Sequence, residues 1–231
     1  MCGRFNVIDN PGLQQLLKDL GIDLQLPRAI NIAPTEQVSL VRLRDGNAEV
    51  ASARWWLTPS WAKRVDQKYA MFNARSESLS TRSAYKKPFR TQRGIVPMSS
   101  FIEWQTRSGV KQPYDISTSS NAMAAAALWD VWEGSEESML SCTLVTTAAA
   151  ESFSPWHSRM PVLLTAPECV RWLDNSRAIA DNDEIFRSEL KTDWCLAPLD
   201  SAVGNSRLKN QELLEPVGDI INLVATRSQK E

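Results

Sequence analysis

The chain begins Met1-Cys2-Gly3-Arg4. A small side chain at position 2 permits removal of Met1, and Cys2 then carries a free α-amine beside its thiol. With reference pKa values of about 7.7–8.0 for the amine and about 8.5 for the thiol, roughly a tenth of the amine is neutral at pH 7. A 1,2-aminothiol of this kind suits an aldehyde. The amine condenses to a Schiff base and the thiol closes onto it as a five-membered thiazolidine, a ring that neither group forms alone. Gly3 permits close backbone approach, and Arg4 adds a cation beside the nucleophile.

Three other segments carry groups that could assist such chemistry. His157, the only histidine in the chain, follows a Ser-rich stretch, and histidine is the residue type most suited to general acid or base work near neutral pH. Glu103 sits in the strand-like run Phe101-Ile102-Glu103-Trp104, where alternation places it on the face of Phe101. It either looks to solvent or lies among aromatic rings and shuttles protons. In Asn73-Ala74-Arg75-Ser76-Glu77, Asn73 and Arg75 share a strand face. An amide there can orient a nucleophile and a guanidinium can hold a phosphate. Cys2, His157 and Glu103 also fit a cysteine peptidase or an N-terminal-nucleophile amidohydrolase.

The net charge of −1 conceals an uneven distribution. Residues 54–93 hold ten Lys or Arg and only Asp66 and Glu77 as acids. That excess points to a polyanion. Trp55, Trp56 and Trp61 lie in the same stretch. Aromatic faces that stack on unpaired bases, interleaved with phosphate-holding Arg, favour a single strand over a duplex. A single-strand-binding module without catalysis would use the same residues.

Composition narrows the rest. With 43% hydrophobic and 23% charged residues the sequence reads as ordinary globular protein. No apolar run approaches the roughly 18 residues of a membrane span. No basic-then-apolar leader precedes residue 10, so a cytoplasmic, nucleoid-associated monomer is expected. The four cysteines, at 2, 142, 169 and 195, do not cluster. Neither a disulfide framework, a metal site nor a cofactor is expected.

The elements that must position these groups can be read from pattern. Asn10-Pro11 followed by Leu13, Leu16, Leu17 and Leu20 predicts a capped helix closed by Gly21. Val38 to Arg44 and Glu49 to Trp56 flank Asp45-Gly46 as a hairpin. Strands are predicted at 94–98, 101–105, 114–117, 123–129, 140–147 and 193–197, with a turn at Ser108-Gly109. Helices are predicted at 167–173 and 183–190. The sum is an α+β single domain over 1–221, a curled, mostly antiparallel sheet or barrel-like core flanked by helices, with a loose tail at 222–231.

Seven segments in order give the chain a more specific likeness. They are Met1 to Phe5, Asn31 to Thr35, Trp55 to Ala62, Asn73 to Glu77, Phe101 to Trp104, His157 to Pro161 and Val203 to Asn205. Together they resemble the SOS response-associated peptidase family of abasic-site processing proteins, over nearly the whole chain. The resemblance implies a covalent thiazolidine crosslink between Cys2 and abasic sites in single-stranded DNA, protecting them during replication or the SOS response. Lyase and self-processing peptidase activities go with it. It implies that Asn73 positions Cys2, that Glu103 serves the amine and the sugar hydroxyl, and that His157 helps open the sugar. Arg75 and Arg159 then match phosphate contacts. Asn31, Pro34, Trp55 and Trp104 match residues lining the DNA cleft, and Arg4 lies beside the nucleophile. Two departures stand out: Trp56 where the family commonly has Gly, and Ser99-Ser100 in place of a Gly-containing pair.

Overall fold

Asn10 begins the first helix as its type suggests. Its side chain accepts from the Leu13 N–H at 3.0 Å, and Pro11 occupies the first turn, where no N–H is needed. The computed structural model describes residues 3–134 and 137–225. Within them α1 (Pro11–Asp19), α2 (Ser83–Thr91) and α3 (Ala166–Leu173) surround two sheets. The strands in chain order are β1 (Arg4–Val7), β2 (Ala29–Ile32), β3 (Gln37–Arg44), β4 (Asn47–Trp55), β5 (Asn73–Arg75), β6 (Arg93–Met98) and β7 (Ser100–Arg107), followed by β8 (Val110–Thr118), β9 (Met123–Glu133), β10 (Ser138–Ala148), β11 (Arg159–Pro161), β12 (Leu163–Leu164), β13 (Trp194–Pro198) and β14 (Ile221–Leu223).

One sheet runs β14-β13-β8-β7-β1-β2. The other runs β11-β10-β4-β3-β6-β9-β12, and β10 also pairs with β9, so β10, β4, β3, β6 and β9 close into a five-stranded barrel. Closure removes exposed strand edges. The pairings are antiparallel except where β10 meets β4 and β5. The α+β, barrel-like expectation is therefore met. Asp45 (φ 51°) and Gly46 (φ 80°) form the left-handed pair that the β3–β4 hairpin requires, and Ser108 (φ 50°) and Gly109 (φ 81°) do the same for β7–β8.

Three expectations change. The helix predicted over 183–190 is only a single 3-10 turn, Glu184–Phe186. Asp183 caps it, but Arg187 is already extended (φ −56°, ψ 140°), and Ile185, Phe186 and Leu190 reach the core from an irregular chain. Helix α2 was not foreseen. It buries Tyr85, Pro88 and Phe89, and leaves Lys86, Lys87 and Arg90 exposed. The chain also does not loosen after Ile221. Strand β14 pairs with β13, and the Ala225 N–H donates to Asp193 at 2.7 Å. Residues 226–231 of the expected tail lie outside the described residues.

Two polar groups, one fully buried and one half-buried, organise this interior. Arg93 is fully buried, and its guanidinium donates to the carbonyls of Trp172 (2.7 Å), Phe89 (2.9 Å), Arg90 (3.2 Å), Asp174 (2.5 Å) and Arg177 (2.8 Å). It thus ties the C-terminal ends of α2 and α3 together, where helix carbonyls lack internal partners. The second is Asp115 on β8. Its Oδ1 accepts from Asn6 Nδ2 at 3.1 Å, and the same Nδ2 lies 2.9 Å from Ser100 Oγ. Burial pushes the Asp115 carboxyl up to about 6, against the opposing hydrogen bonds from Ser100 and Asn6.

These groups make two predictions. Arg93→Met orphans several buried carbonyls at about 1–3 kcal/mol each, so unfolding by urea should show a loss of about 3 kcal/mol or more. Arg93→Lys should recover little, because a point donor cannot span the set; wild-type stability in either variant would contradict the assignment. The folded pKa of Asp115 lies above its unfolded value of about 3.9, so the folded state retains a proton that the unfolded chain releases. Its contribution is fully present below about pH 4 and is lost as pH rises to about 6. Asp115→Asn should therefore match wild type at pH 4 and exceed it at pH 8 by about 2 kcal/mol. No gain at pH 8 would show that the carboxylate is not held in a desolvated site.

Candidate active site

Strand β1 lies between β2 and β7, with Arg4 opposite Ile102, Phe5 opposite Phe101 and Asn6 opposite Ser100. The register carries the chain into the sheet one residue away from Glu103. Cys2, the expected nucleophile, lies outside the described residues. Glu103 is 4% exposed, so its carboxylate is internal, and Oε1 accepts from the Trp104 N–H at 3.1 Å. The Ser99-Ser100 pair also has a use here. Ser99 Oγ accepts from the Ile8 N–H at 2.5 Å and donates to the Ile8 carbonyl at 3.1 Å, pinning the end of β1.

Trp55 joins β1 to Asn73. Its ring meets Phe5 (centroids 5.0 Å, interplanar angle 65°) and Phe72 (6.0 Å, 90°), and Nε1 donates to the Phe72 carbonyl at 2.8 Å. Trp55 is fully buried, so the structure places it as a strut linking β1 to Phe72. Trp56 packs at a tilt against the same Phe72 (5.5 Å, 35°). Two consecutive indoles therefore fix the residue that precedes Asn73. Asn73 itself is 7% exposed and pairs with Leu144 of β10.

The His157 loop is fastened to the strand of Glu103. Gln105 Nε2 donates to the Pro155 carbonyl at 3.1 Å, Trp156 packs edge-on to Tyr114 (6.0 Å, 90°), and Phe153 stacks on Trp156 (6.1 Å, 5°). His157 Nδ1 is 2.9 Å from the Arg159 nitrogen and 3.1 Å from the Arg159 carbonyl. A neutral ring accepts from that N–H at Nδ1 and carries its proton on Nε2. An imidazolium donates from Nδ1 to the carbonyl instead. Either protonation state keeps an anchor, a suitable property for a group that exchanges protons.

The expected phosphate contacts divide. Arg75 is exposed on β5. Arg159 is not available in the same way. Its Nη1 and Nη2 take the two Glu77 oxygens at 2.6 and 3.0 Å, Nη2 also donates to the Thr146 carbonyl at 2.6 Å, and the side chain is only 14% exposed. Without DNA, Arg159 thus braces Glu77 and Thr146, while Arg75 stands open. The Arg159 guanidinium holds the Glu77 carboxyl below the usual carboxylate range, despite opposing desolvation. Glu77 is a further site residue, paired with Arg159. Its signal was a carboxylate closing the Asn73–Glu77 motif, two residues beyond Arg75.

Arg4 donates to the Gly3 carbonyl at 2.9 Å and to the Gly204 carbonyl at 3.4 Å, and its guanidinium lies 6.0 Å over the half-buried Trp104 ring. Burial lowers its pKa and nearby Glu36 raises it. Pro34 is half-buried. Asn31, also expected at the cleft, is fully buried. Backbone strain gathers here: Asn31 has φ 53° and Thr35 has φ 82°, the latter an outlier for a β-branched residue.

The basic stretch is smaller than its count suggests, since Arg93 is internal and Arg54 is half-buried. Of what remains, Lys63, Arg64 and Arg82 line a groove of about 810 Å³ together with Asp66. Trp61 (64% exposed) and Tyr69 (69%) offer open rings there, the latter with Lys68 Nζ 5.6 Å from its centroid. Met71, two residues before Asn73 in sequence, is among the lining residues. Among the described residues no group of three or more His, Cys, Asp or Glu could hold a metal ion, and no helix is long and apolar enough to cross a membrane.

Comparison with known proteins follows the same lines. The model of the SOS response associated peptidase (SRAP) family matches residues 1–206. The abasic site processing protein YoqW of Bacillus subtilis is 34% identical over 225 residues, covering 93% of this chain and 99% of that protein. The abasic site processing protein YedK of Escherichia coli is 28% identical, covering 94% and 100%. A crystal structure of a protein from Bacteroides thetaiotaomicron superposes with a TM-score of 0.75 at 17% identity, covering 92% of this chain and 98% of that one, a likeness of fold. On the family match and on the extent and identity of these alignments, the chain belongs to the SOS response associated peptidase family.

Proposed function

We propose that this chain processes abasic sites in single-stranded DNA by forming a covalent thiazolidine through Cys2. The reading is supported by a buried carboxylate, Glu103, one register position from the start of β1, in a chain of this family. The printed names of YoqW and YedK support the substrate.

The steps balance without a cofactor. Ring opening of the abasic sugar frees its C1′ aldehyde and leaves a hydroxyl at C4′, a proton exchange assigned to His157. The Cys2 α-amine, exposed after loss of Met1, adds to the aldehyde. Glu103 relays the protons as the carbinolamine loses water to a Schiff base. The thiolate then adds to the imine carbon and the nitrogen takes a proton, so one water leaves overall. Asn73 orients Cys2. Holding these groups about one carbon contributes several kcal/mol through effective concentration. Closure by the thiol competes with β-elimination from the Schiff base, which would nick the strand. The Trp61–Tyr69 groove and exposed Arg75 supply stacking and charge for the flanking nucleotides. This favours single strands and a salt-sensitive grip with little sequence preference.

Intact mass after incubation with an abasic single-stranded oligonucleotide tests the reading. Wild type should give a heat-stable adduct one water lighter than the sum of its parts, and Cys2→Ala should give none. A stable adduct from Cys2→Ala would overturn the thiazolidine. Peptide-bond cleavage without an adduct would support a cysteine hydrolase, and reversible binding alone a non-catalytic module.

A further inference from the structure

Asn31 has every polar group but one committed, and all to the same purpose. Its backbone N–H donates to Asn6 Oδ1 at 2.8 Å. Its carbonyl accepts from Lys209 Nζ at 2.9 Å. Its side-chain Nδ2 lies 3.1 Å from each of three carbonyls, those of Val203, Asn205 and Leu208. Oδ1 is buried and has no partner among the described residues. The backbone at Asn31 is left-handed (φ 53°), a conformation glycine would adopt more easily. The amide nitrogen is therefore the reason for a side chain at this position.

What that nitrogen holds matters for the site. The 203–208 segment has little else beneath it: a small apolar cluster of Ile102, Leu199, Val203 and Leu213, with Trp104 and Leu214 packed against it. The same segment presents the Gly204 carbonyl to Arg4, and Trp104 lies under the Arg4 guanidinium. At the other end of the chain of contacts, Asn6 Nδ2 reaches Ser100 on β7 and Asp115 on β8. Strand β1 is thus wired through Asn6 to β7 and β8, and through Asn31 to a segment some 170 residues away in sequence.

We infer that Asn31 is a positioning residue for the reaction proposed at Cys2: a buried latch that holds the 203–208 segment against the N-terminal strand and so fixes Arg4 beside the nucleophile. The latch rests on the geometry above, and its catalytic consequence rests on the proposed function. Asn31 touches no reacting atom. It acts through Gly204 and Arg4, and it sets how β1 is presented more than how tightly a strand binds.

Asn31→Gly tests this with little strain, because glycine accepts the left-handed backbone and keeps the N–H given to Asn6. Asn31→Asp keeps size and backbone tolerance but has no N–H to donate. Hydrogen exchange should show faster exchange of the 203–208 amides in both variants while β9 and β10 stay protected. Single-turnover adduct formation at saturating abasic oligonucleotide should slow by about tenfold or more in both, with affinity for an intact strand changed less than about threefold. Unchanged exchange at 203–208, or rescue by Asn31→Asp, overturns the latch. Altered exchange with an unchanged saturating rate overturns the positioning role. If wild type forms no adduct, the proposed function fails by itself, and exchange alone then judges the latch.

Discussion

A reactive group near the end of a chain is useful only if that end is held still, and here the holding falls to β1. Four residues cannot do this by main-chain pairing alone. The strand is bonded on both edges, to β2 and β7, and its one buried polar side chain, Asn6, is tied to three further residues. A polar group with no exposure is costly unless its partners are all present, and when they are present it specifies one register. Asn6 therefore does what an apolar residue could not: it fixes the strand along its own axis as well as against the core. Phe5 supplies the second restraint through its edge contact with Trp55.

From that strand the site extends by packing. Trp55 and Trp56 hold Phe72, and Phe72 delivers Asn73. Gln105 and the Phe153–Trp156–Tyr114 stack deliver the His157 loop to the strand of Glu103. Glu77 and Arg159 brace the far side, and the Arg159 N–H sets which nitrogen of the neutral imidazole carries its proton. Aromatic side chains suit this work because they fill volume with few rotatable bonds and meet at preferred angles. Trp55, Trp172 and Trp194 are buried and five further Trp are half-buried, while Trp61 and Tyr69 at the groove are the strongly exposed rings among the described residues.

The residues on which the proposed chemistry rests, Cys2, Asn73, Glu103 and His157, could be picked out because each is unusual in its setting. The β3–β4 hairpin and α1 were legible because Asp45-Gly46 and Asn10-Pro11 are local signals. What it could not show was which side of a wall a residue stands on. Trp55, Asn31 and Arg159 carry the types expected of a DNA surface, yet each is taken up internally by a partner distant in sequence: Phe5, Val203 and Glu77. Helix α2 was obscured by its internal Pro88. The 183–190 segment was misread because burial of Ile185, Phe186 and Leu190 does not require a helix. Tertiary pairing decided each case.

The central claim is that the amine and the thiol of Cys2 act together on one aldehyde carbon. Borohydride distinguishes this directly, since it reduces an imine and leaves a thiazolidine intact. The adduct of wild-type protein with abasic single-stranded DNA should survive heating equally with and without borohydride, and peptide mapping should place the sugar on Cys2. An adduct that persists only after borohydride treatment, or one that maps to a lysine of the basic groove, would contradict the account.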